Sequence, residues 1–223
     1  MNRKRIVKFG SIAISLVLII LFFGSSKLQR TQDCYWADIT CNSHFQAYTK
    51  VLAEETWGQA GIVAYPAAAR WMRTNNGSGR ALDDLQKQYL RIYFGDLVDR
   101  VAIVYNAKLM DGWLYADLKI DIGQVDAIAQ TYCDRIYVEG SYKSSDPVQL
   151  SLLAHELVHA MQCERLGGTT QFGYLYFKEF KRAGQSYKDN KLETEAKDFQ
   201  KQFAGWLTHQ LATDEDETAP ESG

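Results

Sequence analysis

One stretch holds residue types that can do chemistry at a spacing that lets them act together: Ser151-Leu152-Leu153-Ala154-His155-Glu156-Leu157-Val158-His159-Ala160-Met161-Gln162. It contains the pattern His-Glu-x-x-His. Residues four apart on an α-helix share a face, one turn above the other. His155 and His159 can therefore aim two imidazole nitrogens at one ion. Glu156 is rotated from His155 by about 100°. Its carboxylate then lies beside the ion, placed to take a proton from a water that the ion activates. The spacing predicts the active-site helix of a zinc hydrolase, with Glu156 as general base. The plainer alternative is two partly exposed histidines on a core helix.

The flanks fit a helix. Apart from the three motif residues, every residue from Ser151 to Gln162 is uncharged, and neither Pro nor Gly interrupts the segment. Asp146-Pro147 precedes it as a helix start would. Gly167-Gly168 follows it as a stop would.

A catalytic zinc takes three protein ligands and a water. Cys163 and His209 are poorly placed, and His159 to Arg165 contains no further His. The remaining candidates are Glu193 and Glu195, in a helix predicted over 191–209. The apolar stripe of that helix is Leu192, Ala196, Phe199 and Phe203. Glu193 lies on nearly the same side and Glu195 flanks the stripe, so helical phase leaves both open. Small Ala196 would let this helix approach the His-bearing helix closely.

Glu193, Ala196 and Phe199 form Glu-x-x-Ala-x-x-Phe, which resembles the second motif of gluzincin-type metallopeptidases, including the membrane CAAX-prenyl-protease-like families. That resemblance implies Glu193 as the third zinc ligand. Many of those families carry an Asp four residues later that supports a ligand His. Lys197 stands there in this chain, and Glu195 is kept as the alternative ligand. A wider stretch, about residues 80 to 165, resembles the uncharacterised bacterial zincin-like domain found near extracellular contractile injection systems. It implies a zincin-like fold with one bound Zn²⁺. The His₂Glu set also accepts Co, Mn or Fe.

The rest of the chain must position these groups. Its 223 residues suffice for one ordinary domain, and the net charge of -2 gives no sign of a nucleic-acid partner. Arg3, Lys4, Arg5 and Lys8 precede an apolar run over 9–23, the layout of a signal peptide or signal anchor. We expect that element over 1–24, with the membrane as a partner through it and the catalytic domain on the extracytoplasmic side. A linker with a Cys-closed loop is expected over 25–43, a metallopeptidase domain over 44–211 and a disordered acidic tail over 212–223. The four cysteines suggest disulfides in an exported chain, with Cys34–Cys41 and Cys133–Cys163 the favoured pairs.

Periodicity predicts helices over 44–57 and 81–93, with a loop and then a short helix starting at Pro66. Strands are predicted over 101–105, 118–122 and 135–139. Phe172 to Tyr187 reads as helical in part, with Gly173 and Gly184 as weak points. The expected class is α+β: a small sheet packed on the His-bearing helix and on the C-terminal Glu-bearing helix, with helices before it.

The expected activity is hydrolysis of a peptide or protein substrate by an extracytoplasmic zinc enzyme. The strand at 135–139 would hold an extended peptide by edge pairing. Tyr174, Tyr176 and Tyr187 are candidates for stabilising the oxyanion. The competing expectation is a catalytically silent zincin-fold module for binding or assembly at the cell envelope. The intact Glu156 favours the enzyme, because a structural metal site has no need of a general base.

Overall fold

The computed structural model describes residues 39–110, 113–115, 118–120 and 128–218. The basic and apolar start of the chain and Cys34 lie outside these residues. So do the pairing expected for Cys34 and Cys41 and the last five residues of the acidic end.

The described chain is α+β. The helices are α1 (Ile39–Asn75), α2 (Asp84–Phe94), α3 (Leu97–Arg100), α4 (Pro147–Leu166), α5 (Thr169–Arg182) and α6 (Lys191–Thr218). The strands are β1 (Ala102–Val104), β2 (Trp113–Tyr115), β3 (Leu118–Ile120), β4 (Ala129–Tyr132) and β5 (Arg135–Val138). Two compact units result. Among the described residues, one holds 39–53, 114–115 and 118–120; the other holds 54–110, 113 and 128–218. β2 and β3 pair with each other.

The three-stranded sheet runs in the order β1-β5-β4. β1 is parallel to β5, with Ile103 beside Ile136. β4 is antiparallel to β5, with Thr131 beside Ile136. The expectation that the 135–139 strand offers a free edge is therefore corrected: β5 is central and spends its backbone groups on both neighbours. Among the described residues the antiparallel edge is β4. Its four residues, Ala-Gln-Thr-Tyr, are too short a run to show an alternating apolar pattern, so sequence periodicity misses it.

The main core joins α2, α3, α4 and α6 to the sheet through Leu90, Val98, Ile103, Ile136, Leu153, Leu157, Ala196 and Phe203, among others. α4 is buried on nearly every face, which explains why its sequence is apolar without a stripe. Asp146 caps it, accepting from the N–H groups of Val148 (2.9 Å) and Gln149 (3.3 Å). Gly167 ends it in the left-handed conformation, φ 92°.

Three boundaries differ from expectation. α1 is one helix that continues through Pro66. The ring removes one helical hydrogen bond, and the Ala-rich flank keeps the helix intact. α5 continues through Gly173, and the break falls at Gly184, where φ is 67°. α6 runs on to Thr218, past the point where an acidic tail was expected to begin.

The membrane partner expected through the apolar run at 9–23 is also corrected. Among the described residues no helix is long and apolar enough to cross a membrane. α1 has the length at 37 residues but carries Glu54, Glu55, Arg70 and Arg73. The run itself lies outside the described residues.

Candidate metal centre

α4 supplies two of the three groups. His155 and His159 sit one turn apart with their Nε2 atoms 3.2 Å from each other. α6 supplies the third. Asn190 precedes it, accepting from Leu192 N–H (3.1 Å) and donating to the Tyr176 carbonyl (3.2 Å). This fixes the first turn of α6 against α5 and turns Glu193 inward. Ala196, fully buried one turn later, puts no bulk between α6 and α4.

Glu193 Oε1 lies 3.4 Å from His159 Nε2 and Oε2 lies 3.6 Å from His155 Nε2. Donor atoms of His155, His159 and Glu193 all fall within 4.8 Å of one another, and the group could hold a metal ion. Two further observations fit this. Glu193 Oε2 is buried without a hydrogen-bond partner, a costly arrangement for a carboxylate unless a cation shares the space. The two imidazole edges also converge on the same point. Two nitrogens and one carboxylate oxygen form a donor set that zinc accepts.

Charge within the group is strongly coupled. Burial works against a protonated His159, but the Glu193 carboxylate outweighs it and the imidazole is pushed up to about 9. Burial would likewise raise Glu193. The charge of His159 and the two imidazoles facing the carboxylate at 3.4 and 3.6 Å outweigh that and hold the carboxyl well below its ordinary range.

Helical phase leaves Glu195 open as a ligand. The structure turns it away from the centre, to accept from Gln162 Nε2 (3.0 Å) and Arg165 (3.2 Å). Cys163 is bonded to Cys133, with the Cα atoms 5.3 Å apart. Lys197 lies over the Tyr187 ring, 4.4 Å from its centroid.

The three tyrosine candidates separate. Tyr176 donates to Glu193 Oε1 at 2.8 Å. Tyr187 faces the same carboxylate, and burial followed by the Glu193 charge pushes its hydroxyl up. Tyr174 is elsewhere, donating to Glu55 at 2.7 Å.

Two positioning residues were not read from the sequence. Gln162 Oε1 lies 2.9 Å from His159 Nδ1. The Gln162 amide nitrogen is already committed to Leu192 O (3.1 Å) and Glu195, so its oxygen must be the atom facing the ring. His159 therefore donates from Nδ1, which leaves Nε2 as the atom that faces an ion. The signal was present, since Gln162 lies three residues after His159 on the same helical face. Thr131 on β4 is the second. Its hydroxyl donates to Glu156 Oε2 at 2.7 Å. No local pattern marks that pairing.

Comparison with known proteins can be set on this geometry. Residues 104–167 match the eCIS core domain. The expected extent of 80 to 165 thus narrows at its start. The matched span of the eCIS core domain runs from the end of β1 to the cap of α4. It includes His155, Glu156 and His159 and stops before Glu193. No curated protein and no solved structure matches the chain.

Proposed function

We propose that this chain is a zinc metallopeptidase that acts in an extracellular setting on peptide or protein substrates. One observation carries the reading: His155, His159 and Glu193 converge from two helices, and the Glu156 carboxylate beside them is held by Thr131. A metal site that serves structure alone has no use for the second feature. The similarity to the eCIS core domain and the Cys133–Cys163 bridge support the extracellular setting.

A zinc ion in this group would supply an acidified water and a polarised substrate carbonyl. The protein's own groups do the rest. Glu156, fixed through Oε2, accepts a proton and returns it to the leaving amine. Gln162 orients His159, and Tyr176 orients Glu193. An extended peptide pairs along the β4 edge rather than along β5.

A second reading, a zinc-holding binding module without turnover, is favoured by the burial of the centre. Exposure is 6% at His155, 5% at Glu156, 6% at His159 and 3% at Glu193. Zinc content and cleavage of a mixed peptide library over long incubation separate the two, with Glu156→Gln as control. The enzyme binds one zinc in both proteins and cleaves only as wild type. Zinc in both with cleavage by neither selects the binding module, and zinc in neither removes both. Glu193→Ala should lose the metal while Glu195→Ala keeps it.

A further inference from the structure

The edge of β4 is already in use. Glu139 N–H donates to Ile128 O at 2.9 Å. In an antiparallel pair the bonded positions alternate, so Ala129 and Thr131 turn their N–H and C=O groups away from β5 along the outer edge. An incoming extended peptide would pair with those groups. The Thr131 carbonyl instead accepts a 2.6 Å hydrogen bond from the Tyr65 hydroxyl. Tyr65 belongs to α1 and is 4% exposed.

A chain of aromatic rings also links Tyr65 to the ligands. Its ring packs on Tyr132 (centroids 5.1 Å apart) and on Phe172 (4.9 Å). Phe172 in turn stacks on Tyr176 at 5.7 Å and meets His159 edge-on at 6.3 Å. Burial and then the charges of Tyr132, Glu156 and Glu193 push the Tyr65 hydroxyl well above its ordinary range.

We propose that α1 is an internal blocker of this centre: Tyr65 occupies the backbone-binding position on β4, and peptide enters when α1 is displaced. This rests on the reading of the site as a peptidase centre. α1 is held outside the main core, by the pairs of Glu54 with Arg182, Glu55 with Lys178 and Arg73 with Asp134 and by Trp57 against Phe177 and Phe180. The main core that carries both ligand helices contains no α1 residue. α1 enters a second cluster instead, through Tyr65, Ala68, Ala69 and Met72. Two of those four are alanines, which bury little area.

The crossing of α1 on α5 provides a lever. Gly61 and Gly173 bring the two backbones into direct contact. A Cβ at Gly61 would fall inside the surface of the Gly173 carbonyl oxygen, and one at Gly173 would meet Gly61 O and Tyr65 Cβ. A single added methyl group therefore pries α1 from α5 without touching a ligand.

The test uses the full chain loaded with zinc and reads the rate of zinc transfer to a chromogenic chelator, which does not depend on catalysis. Gly61→Ala should speed transfer at least tenfold over wild type. Tyr65→Phe, which adds no atoms and so guards against misfolding, should speed it severalfold. Both should also raise Glu156-dependent cleavage of an unfolded protein above the slow wild-type rate that long incubation detects. If the folded variants release zinc at the wild-type rate, the blocker is overturned while the metal centre stands. If Gly61→Ala does not fold, Tyr65→Phe alone decides. If no protein binds zinc, the peptidase reading falls and the blocker falls with it.

Discussion

Thr131 Oγ1 donates to Glu156 Oε2 at 2.7 Å, from the edge strand of the sheet to the helix that carries both histidines. The same hydroxyl lies 3.2 Å from the Glu156 carbonyl. One short side chain thus sets the distance between β4 and the carboxylate proposed as general base. A hydrogen bond to a charged group contributes about 1.5–3 kcal/mol, equivalent to roughly 10- to 100-fold in rate. Thr131→Val should lower kcat/KM by that factor with zinc content unchanged, and Thr131→Ser should restore most of it. Loss of zinc in Thr131→Val would show that the residue supports the metal group rather than the base.

Gln162 is the counterpart on the ligand side. Its substitution by Met keeps the volume but leaves His159 Nδ1 and Leu192 O without their partner. Loss of such a partner typically weakens metal affinity by about 10- to 100-fold. Competition against a chelator of known affinity measures this directly. An unchanged zinc Kd with a lowered Tm would assign Gln162 to packing alone.

The Cys133–Cys163 bridge ties the turn between β4 and β5 to α4, with a sequence separation of 30. Closing a loop of this size removes about 3–4 kcal/mol of unfolded-state entropy. The double variant Cys133→Ser, Cys163→Ser should lose stability of that order in urea titration. Its residual zinc content would report how far the histidines depend on the bridge.

Acid should weaken one attachment of α1. Gln59, Lys178 and Tyr174, in that order, hydrogen-bond Glu55 and lower its carboxyl from 4.5 to about 2. A carboxyl depressed in the folded state contributes stability that is present above pH 4.5 and lost as pH falls towards 2. Glu55→Gln should therefore flatten the stability profile across that window, read from urea midpoints at pH 6 and pH 3. The change will be modest, because the Glu55 side chain is 43% exposed.

What the sequence discloses follows the range of the interactions. His155, Glu156 and His159 share one helix, so their geometry is a matter of helical phase. Glu193 needed a resemblance to be preferred over Glu195, since phase placed both near the apolar stripe. What separated them is the Asn190 cap and the pull of Arg165 and Gln162 on Glu195. Thr131 and Tyr65 were out of reach, because their partners lie 25 and 66 residues away. Pro66 misled for a simpler reason. A proline reads as a break, yet α1 tolerates it where neighbouring Ala residues favour the helix.

The Cys133–Cys163 bridge has a further consequence for assembly. His155, Glu156 and His159 all lie inside the covalent loop it closes, while Glu193 lies outside. An oxidised chain that has lost α6 still presents two imidazoles and the carboxylate on one tethered segment. Reduction of the bridge therefore opens the loop that holds His155, Glu156 and His159 together, whereas loss of α6 removes Glu193 alone.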